Sequence, residues 1–306
     1  MHKVFIDGSV GTTGLRIFDR LKDRKDIELL TIAEELRKDP IAKKEKLNQA
    51  DVVFLCLPDD AARSAVSMID DKNVKVIDTS TAHRTSSGWT YGFMELKGQR
   101  KKIEKSKRIA NPGCHASGVI ALIKPLIDNN VIAKNLEFSA FSVTGYTGGG
   151  KKMIAEYEGD MPELYLAPRQ YGLTQSHKHL PEIKSVCSLR KEPCFCPIVS
   201  SYPCGMQVTI PLHASCFKAG VKQIKECYKD YYDNGGMVFY TEETESGLIS
   251  ASSFSGKDSM GVSVFGNEDR ILLVSRFDNL GKGASGAAIQ NMNILLGVDE
   301  KEGLIY

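Results

Sequence analysis

The sequence predicts an α/β protein in which a doubly wound parallel sheet is joined to a second domain of the α+β type. Three observations lead to this prediction. The chain has 306 residues, more than the roughly 100–200 residues of a single domain. In its first part, short apolar runs alternate with amphipathic stretches, as they do in βαβ units. After Pro125 the apolar runs become longer and lose the helical crossovers between them, which is typical of an α+β domain.

The individual elements follow from the same pattern. In the first half, strands are predicted at 4–6, 27–32, 52–57, 74–78 and 108–110, and helices near 12–23, 41–50, 59–70 and 94–105. In the second half, longer strands are predicted at 136–143, 208–215, 236–241 and 271–277. Small and apolar residues at helical spacing over 282–296 predict a closely packed helix that returns to the first domain. We therefore predict one domain over residues 1–113, completed by the C-terminal helix 282–306, and a second over residues 114–281.

Composition excludes several classes of protein. Hydrophobic residues make up 42% of the chain and charged residues 25%, as in ordinary globular proteins. A net charge of +2 is too small for a polyanion-binding surface, so no nucleic acid partner is expected. The sequence has neither a secretory signal pattern nor the ~18–20 apolar residues of a membrane span. We expect a cytoplasmic protein without a membrane partner, whose eight cysteines are reduced thiols.

A glycine-rich turn follows the first predicted strand and opens the first predicted helix. It contains Gly8, Ser9, Gly11, Thr12, Thr13 and Gly14. Glycines let the backbone approach a pyrophosphate, and the helix N-terminus supplies N–H groups and the positive end of a dipole. The spacing is GxxGxxG instead of the commoner GxGxxG, but its place between strand and helix supports a Rossmann-type dinucleotide-binding domain.

The residues after the second strand decide between NAD and NADP, because a cation there can bind the 2′-phosphate. Both acidic and basic side chains occur, in the order Glu34, Glu35, Leu36, Arg37 and Lys38. We predict that Arg37 and Lys38 form the phosphate clamp of an NADP(H) site. The alternative is that both are exposed charges at the flank of a helix.

Cys114 is the predicted nucleophile. The motif Asn111-Pro112-Gly113-Cys114 follows the last strand of the first half and precedes an apolar helix. At a helix N-terminus the dipole favours the thiolate, and nearby N–H groups can hold an oxyanion. A thiolate that attacks an acyl carbon also needs a proton carrier, for which imidazole is suited.

Histidines for that purpose lie in the segment 171–182. His177 and His179 are followed by Glu182, so these three residues could also be metal ligands. We favour a metal-free acyl transfer, because the cysteine already provides a route to it. His115 is adjacent to the nucleophile and is expected to face outward. A structural zinc on the cysteines at 187, 194, 196 and 204 is a further alternative, although they form no CxxC pair.

Two alternative interpretations of the sequence, each as a different class of protein, remain open. Gly145–Lys151 formally fits the P-loop pattern GxxxxGK of kinases, but Lys152 stands where Ser or Thr would hold Mg²⁺. We interpret this loop as a flexible wall of the substrate site. A non-catalytic protein that senses dinucleotides is the other reading, and the combination of Cys114 with two spaced histidines argues against it.

Four motifs together, GSVGTTG, NPGC, HKHLPEI and DNLGKGASGAAIQNMN, carry a resemblance over nearly the whole chain. With them the sequence resembles the short-form N-acetyl-γ-glutamyl-phosphate reductase family of arginine biosynthesis. The resemblance implies a Rossmann domain joined to an α+β catalytic domain, with NADPH as hydride donor, a small-molecule substrate and a homo-oligomer. Aspartate-semialdehyde dehydrogenase runs the same chemistry on a related architecture and is the alternative, although HKHLPEI favours the acetylglutamyl enzyme.

The resemblance also implies roles for particular residues. Cys114 would be the nucleophile that forms a thioester, and His177 and His179 would be the acid/base and positioning pair. The residues expected to bind substrate are Arg84, Asn111, Tyr171 and Glu182. The sequence departs from the family pattern after the cysteine, where relatives often have Tyr-Pro-Thr and this chain has His-Ala-Ser. This difference concerns the pocket wall and leaves the chemistry unaffected.

Overall fold

In the computed structural model, which describes residues 1–37, 39–233 and 235–306, the chain divides into two units. Unit 1 consists of Met1–Met94, Gly98–Gly113 and Ala284–Leu304. Unit 2 consists of Glu95–Lys97, Cys114–Gly283 and Ile305–Tyr306. Each unit contains its own sheet, so the two are described separately.

The described residues of unit 1 form a parallel sheet of six strands with the order β2-β1-β3-β4-β6-β5. The strands are β1 His2–Asp7, β2 Ile27–Leu30, β3 Val52–Leu55, β4 Lys75–Asp78, β5 Thr90–Tyr91 and β6 Arg108–Ala110. The helices are α1 Thr12–Leu21, α2 Pro40–Gln49, α3 Asp59–Ser67 and α4 Gln99–Lys105. This order confirms the predicted doubly wound sheet. The predicted helix 94–105 was too long, because Gly98 at φ +74° begins the helix at Gln99.

The two faces of this sheet are covered by different helices. Alternate side chains of β1 and β3 pack on one face with Ile17 of α1 and Ile289 of the C-terminal helix, Gly286–Leu296. On the other face they pack with Leu47 of α2 and Ala62 of α3. Because both faces are buried, the middle of β1 and all of β3 are continuously apolar, as parallel strands usually are.

The described residues of unit 2 form a mixed sheet of seven strands with the order β11-β12-β13-β10-β7-β9-β8. The strands are β7 Ser139–Gly145, β8 Arg169–Gln170, β9 Cys194–Ser200, β10 Met206–His213, β11 Val238–Tyr240, β12 Met260–Gly266 and β13 Arg270–Phe277. The helices are α5 Cys114–Asp128, α6 Gly150–Glu158, α7 Leu180–Cys187 and α8 Val221–Tyr232. The mixed sheet confirms the predicted α+β class, although β8, β9 and β12 were not predicted.

Helix α5 is the central helix of unit 2, and its first residue is Cys114. Pro125 within it has no N–H group, so the carbonyl of Ala121 loses its usual helical donor. The hydroxyl of Tyr232, on α8, donates to that carbonyl at 2.8 Å. The neighbouring Tyr228 hydroxyl donates to the carbonyl of Leu122. These bonds anchor the C-terminal half of α5 to α8 despite the proline.

Candidate active site

The glycine-rich turn of unit 1 is so tight that two of its positions have no room for a side chain. Gly8 has φ +88°, and a Cβ added there would lie 2.3 Å from the carbonyl oxygen of Cys56. A Cβ on Gly14 would lie 2.3 Å from the carbonyl oxygen of Gly8. Gly11 differs, because its added Cβ would meet the Gly8 oxygen only at 3.4 Å. Gly8 and Gly14 therefore make the turn possible, while Gly11 leaves the start of α1 uncovered.

The N-terminus of α1 has the character of an anion site. Among the residues that the structure describes, no side chain caps this terminus and no acidic residue occupies its first turn. Thr12 Oγ1 is buried there and has no hydrogen-bond partner within the described part of the chain. Unpaired donors and the positive end of a helix dipole favour a bound phosphate. These residues fit the pyrophosphate of a dinucleotide.

A cavity of about 450 Å³ adjoins this turn within unit 1. Polar residues of its lining include Asp7, Ser9, Thr31, Arg37 and Lys43. Arg37, predicted as part of a phosphate clamp, lies 3.5 Å from the carboxylate of Glu34. Lys38, its predicted partner, lies outside the described residues.

Lys43 was not predicted as a site residue. Its Nζ lies 3.2 Å from Oδ2 of Asp7. Burial raises the pKa of Asp7, and the charge of Lys43 opposes that rise. The signal for Lys43 was its place in the first turn of α2, from which a long side chain reaches back to the end of β1. Among the described residues, the cations that line this cavity are thus Arg37 and Lys43.

Arg84 is fixed at the carboxyl ends of β4 and β6. Its Nε donates to the carbonyl oxygen of Asn111, and its Nη2 donates to that of Thr79, each at 3.0 Å. The preceding residue, His83, is buried, and its Nδ1 lies 2.6 Å from Oδ2 of the buried Asp78. This pair fixes the backbone beside Arg84, so the guanidinium is held by its surroundings.

Asn111 has a structural environment that the sequence did not indicate. Its Nδ2 donates to the carbonyl of Ala284 at 3.0 Å, and its Oδ1 accepts from Asn291 Nδ2 at 3.3 Å. Both ends of the amide are therefore bonded within unit 1. This arrangement ties the end of β6 to the segment that leads into the C-terminal helix.

Cys114 lies in the first turn of α5 and is partly exposed. A Cβ added to Gly283 would lie 3.0 Å from Cys114 Cβ, so the glycine allows the chain to pass close to the thiol. A sulfur at this end of a helix faces backbone N–H groups and the positive end of the dipole. This is an environment that favours a thiolate.

The expectation that His115 faces outward was wrong. Its side chain is only 3% exposed. Nδ1 lies 2.6 Å from Ser142 Oγ on β7, and Nε2 lies 2.6 Å from the hydroxyl of Tyr171. Burial, with a smaller contribution from His177, lowers the pKa of His115 to about 3. The imidazole is therefore neutral at physiological pH.

His177 and His179 lie beside His115. Their ring centroids are 5.7 and 5.6 Å from that of His115 and 4.8 Å from each other. The two residues lie in a turn in which the His179 N–H donates to His177 Nδ1 at 3.2 Å. Burial, together with the charge of Lys178, lowers the pKa of His177. His179 is buried and directly precedes α7.

Tyr171 and Glu182 complete the predicted set in unit 2. Burial raises the pKa of Tyr171, and the charge of Cys114 raises it further. Tyr171 is therefore protonated at neutral pH. Glu182 is 1% exposed and lies in the first turn of α7. Unit 2 thus brings together Cys114, His115, Tyr171 and the two histidines.

The structure bears on two alternative interpretations of the sequence, the metal site and the P-loop. Within residues 1–37, 39–233 and 235–306, no group of three or more His, Cys, Asp or Glu side chains is arranged to hold a metal ion. The P-loop-like segment forms a 3-10 turn, Tyr146–Gly149, followed by α6. Tyr146 stacks on Tyr157 at 4.8 Å, so this segment packs in an aromatic cluster instead of forming an open anion loop. In the described part of the chain, no helix is long and apolar enough to cross a membrane.

Comparison with known proteins places both units in one family of domains. Residues 3–106 match the model of the semialdehyde dehydrogenase NAD binding domain. Residues 114–279 match the model of the semialdehyde dehydrogenase dimerisation domain. Among solved structures, aspartate semialdehyde dehydrogenase II of Vibrio cholerae superposes with a TM-score of 0.73 at 15% identity, covering 97% of this chain and 98% of that one. At this identity the likeness shows the fold alone.

Relatives of much higher identity have a different name. N-acetyl-gamma-glutamyl-phosphate reductase of Sinorhizobium medicae is 44% identical over 305 residues, which is 96% of this chain and 98% of the relative. The enzyme of that name from Brucella ovis is 43% identical over 306 residues, or 96% of this chain and 99% of the relative.

Proposed function

Because the chain belongs to the N-acetyl-γ-glutamyl-phosphate reductase family, we propose that Cys114 carries the reaction of that family through a thioester. The chain is an oxidoreductase that uses a nicotinamide coenzyme. Its reaction reduces N-acetylglutamyl 5-phosphate to the 5-semialdehyde and releases phosphate. The observation that carries the role of Cys114 is its position in the first turn of α5, directly before His115, which bonds Tyr171 and lies beside both histidines.

The reaction takes place in two covalent steps. The Cys114 thiolate attacks the γ-carbonyl carbon, a C–S bond forms, and the C–O bond to phosphate breaks with its electron pair on the phosphate. In the second step the thioester carbon is reduced, the C–S bond breaks, and the thiolate is regenerated with the aldehyde. A reduced nicotinamide coenzyme, held by the turn from Gly8 to Gly14, would supply the hydride for this second step.

The surrounding residues assist these steps in different ways. N–H groups at the start of α5 stabilise the oxyanion that forms on the carbonyl oxygen. We assign His177 and His179 to proton handling and substrate positioning. Tyr171 and Glu182 line the substrate site. Arg84 binds the anionic part of the substrate. Two carbonyl groups hold its guanidinium in a fixed position for this role.

Asn111 receives a positioning role in this proposal. Its amide is bonded to Ala284 and Asn291, so it holds the chain just before Cys114. This differs from the substrate-binding role that the resemblance implied.

The coenzyme is proposed to be NADP(H), held by the turn from Gly8 to Gly14 and the cavity beside it. The orphaned Thr12 hydroxyl and the uncapped start of α1 suit the pyrophosphate. Arg37 and Lys43 contribute two positive charges to the lining of this cavity. A 2′-phosphate bound beyond the second strand would form ion pairs with such charges.

A coenzyme prediction follows from the clamp of Arg37 and Lys38 that the sequence predicts. Replacing Arg37 and Lys38 together by alanine should raise KM for NADPH by about tenfold or more, since hydrogen bonds to charged groups contribute ~1.5–3 kcal/mol. KM for NADH should change little. Steady-state kinetics with both coenzymes measure this, and Lys44→Ala, on the exposed side chain that pairs with Asp70, is the matched control. An equal response to both coenzymes would place the clamp elsewhere.

The choice of substrate is tested by comparing two acyl phosphates. N-acetylglutamyl phosphate and aspartyl phosphate differ by a methylene group and by an acetamide in place of an ammonium group. A site built for the acetylated substrate should reject the aspartyl compound by at least 100-fold in kcat/KM, because a buried charge would lack its partner. The comparison can also be run in reverse with the two semialdehydes. Preference for the aspartyl substrate would identify the alternative enzyme.

The assembly state and location are also part of the proposal. The model of a dimerisation domain matches unit 2, which supports an oligomer, and we propose that it is a homo-oligomer. The outer face of the sheet in unit 2 exposes Phe141 and Leu272, which suits contact with a second copy. All eight cysteines are outside disulfides, which agrees with a cytoplasmic enzyme.

A further inference from the structure

A buried ion pair of unit 2 joins Glu95 to Lys282, which belongs to the motif that begins at Asp278. Lys282 Nζ donates to Glu95 Oε1 at 2.6 Å, and the side chains of Lys282 and Glu95 are 3% and 1% exposed. Burying two charges costs desolvation on both sides, and apolar residues of the same volume are often as stable. Stability alone therefore does not account for this pair, whereas fixing one conformation of the chain would.

The acidic end of the pair is anchored to the sheet of unit 2. Glu95 Oε1 also accepts the N–H of Met237 at 3.2 Å. Met237 is buried directly before β11, and its carbonyl accepts the N–H of Met260, the first residue of β12, at 2.8 Å. Glu95 is thus bonded to the backbone of paired strands and offers Lys282 a fixed acceptor.

The basic end of the pair lies in a tight loop that follows β13, the 278–283 loop. Asp278 Oδ1 accepts from the N–H groups of Leu280 and Gly281 at 2.7 and 2.8 Å. The N–H of Gly283 donates to the carbonyl of Asp278 at 3.0 Å. The loop is therefore closed on itself, and through Lys282 the ion pair ties it to Glu95.

Gly283 brings the 278–283 loop against the proposed nucleophile. A Cβ built on Gly283 would lie 3.0 Å from Cys114 Cβ and 3.3 Å from Phe277 Cε2. The backbone of Gly283 therefore forms one wall of the space around Cys114. Because Lys282 is the preceding residue, a displacement of Lys282 would carry this wall with it.

We propose that Glu95 and Lys282 are positioning residues, whose ion pair holds the backbone of Gly283 against Cys114 and so restricts how a substrate approaches the sulfur. The proposal rests on the proposed role of Cys114 as the nucleophile. The pair acts through the 278–283 loop. It therefore shapes access to the thiolate and leaves the reactivity of the thiolate itself unchanged.

Access to Cys114 is measured by the ratio of its alkylation rates with a larger reagent, N-phenylmaleimide, and a smaller one, iodoacetamide. Both reagents react with the thiolate, so the ratio does not depend on how much thiolate is present. Lys282→Met keeps the length of the side chain and removes the donor to Glu95. The ratio should rise severalfold in this variant, because the wall can withdraw from the sulfur. A native or lower ratio would overturn the proposal.

Other residues of unit 2 provide the controls, with each label assigned by peptide mass spectrometry. Cys194 is exposed on β9 and should keep its native ratio in every variant. Cys187 is fully buried in α7, so label on it would report loss of the fold. Lys124→Met is the matched control variant, because it breaks the ion pair of Lys124 with Asp128 near the other end of α5. It should leave the ratio at Cys114 native.

A double variant separates positioning from stability. Lys282→Met leaves the carboxylate of Glu95 buried without the Lys282 cation, which destabilises the fold. Glu95→Gln/Lys282→Met buries neither charge, so its Tm should lie closer to the native value. The tether is still missing, so the ratio at Cys114 should stay raised. A ratio that returned to the native value together with Tm would show that the pair serves stability alone and would refute the proposal.

Turnover of the double variant is the second readout. Misplacement of reacting groups by ~1 Å can cost on the order of 100-fold in rate, so kcat should fall by about tenfold or more. A raised ratio with native kcat would refute the positioning role. Alkylation needs no substrate, so the ratio can be measured even if N-acetylglutamyl phosphate proves not to be reduced. That separate failure would refute the proposed function alone.

Discussion

Cys114→Ser is expected to lose nearly all reductase activity, at least 1,000-fold in kcat, while its Kd for NADPH stays within about twofold. A hydroxyl at neutral pH has almost none of the anionic character that makes a thiol nucleophilic, so thioester formation fails. Coenzyme binding uses the turn from Gly8 to Gly14 in unit 1, and the substitution leaves that unit unchanged. Stopped-flow turnover and a fluorescence titration with NADPH measure the two quantities.

The control for this prediction uses another cysteine of the same unit. Cys194→Ser changes an exposed thiol on β9 and should keep full activity. Peptide mapping after partial alkylation should place the label that accompanies inactivation on Cys114. Inactivation with label on Cys194 or Cys196 and none on Cys114, or near-normal turnover of Cys114→Ser, would show that the thioester forms elsewhere or not at all.

The fold class could be predicted because it depends on periodicity, which a single sequence displays directly. The apolar run 4–6 of β1 and the whole of β3 are examples, since helices cover both faces of a parallel sheet. The place of Cys114 could be predicted for a related reason. Ligands bind at the carboxyl ends of parallel strands, and the motif at 111–114 follows the end of β6.

Some strands of unit 2 could not be read from local pattern. β9 contains Pro197, which normally argues against a strand inside a sheet, yet it pairs with β7 and β8. The two-residue strand β8 exists only through its pairing with β9. Such elements are stabilised by tertiary contacts, and local propensity does not record these contacts.

The prediction that His115 faces outward was wrong because helical periodicity does not show where a side chain points when the helix is buried on all sides. In α5, the residues from His115 to Ile127 are buried except Lys124. A polar residue near such a helix start has no solvent face to occupy, so it must find partners, and Ser142 and Tyr171 supply them. Both are distant in sequence. Lys43 escaped prediction for a similar reason, since its partner Asp7 lies 36 positions earlier (43 minus 7).

His177→Asn and His179→Asn are expected to differ in kind, with His177 the variant that loses kcat. His177 Nδ1 accepts the N–H of His179, so its proton is on Nε2. The asparagine side chain can keep the bond at the Nδ1 position through its own oxygen, but it has no atom that reaches the Nε2 position. The turn should survive while the Nε2–H, which a neutral ring offers as a hydrogen-bond donor, is lost. Removal of one positioned donor to a developing oxyanion costs roughly 100- to 1,000-fold in kcat. His179→Asn should chiefly raise KM.

The dependence on pH gives this prediction a second readout. If His177 Nδ1 were protonated, its N–H would face the backbone N–H of His179, and the hydrogen bond between them would be lost. Burial and Lys178 already lower the pKa of His177, so the neutral form is the active one above that depressed pKa. Activity of the native enzyme should therefore fall as pH drops through a value below 6.5, the ordinary pKa of histidine. His177→Asn has no titrating group at this position, so this acid limb should be absent. If both variants keep the native kcat and the native acid limb, the segment does not handle the proton. His115 could not then replace it, because both of its ring nitrogens are bonded and it is neutral down to about pH 3.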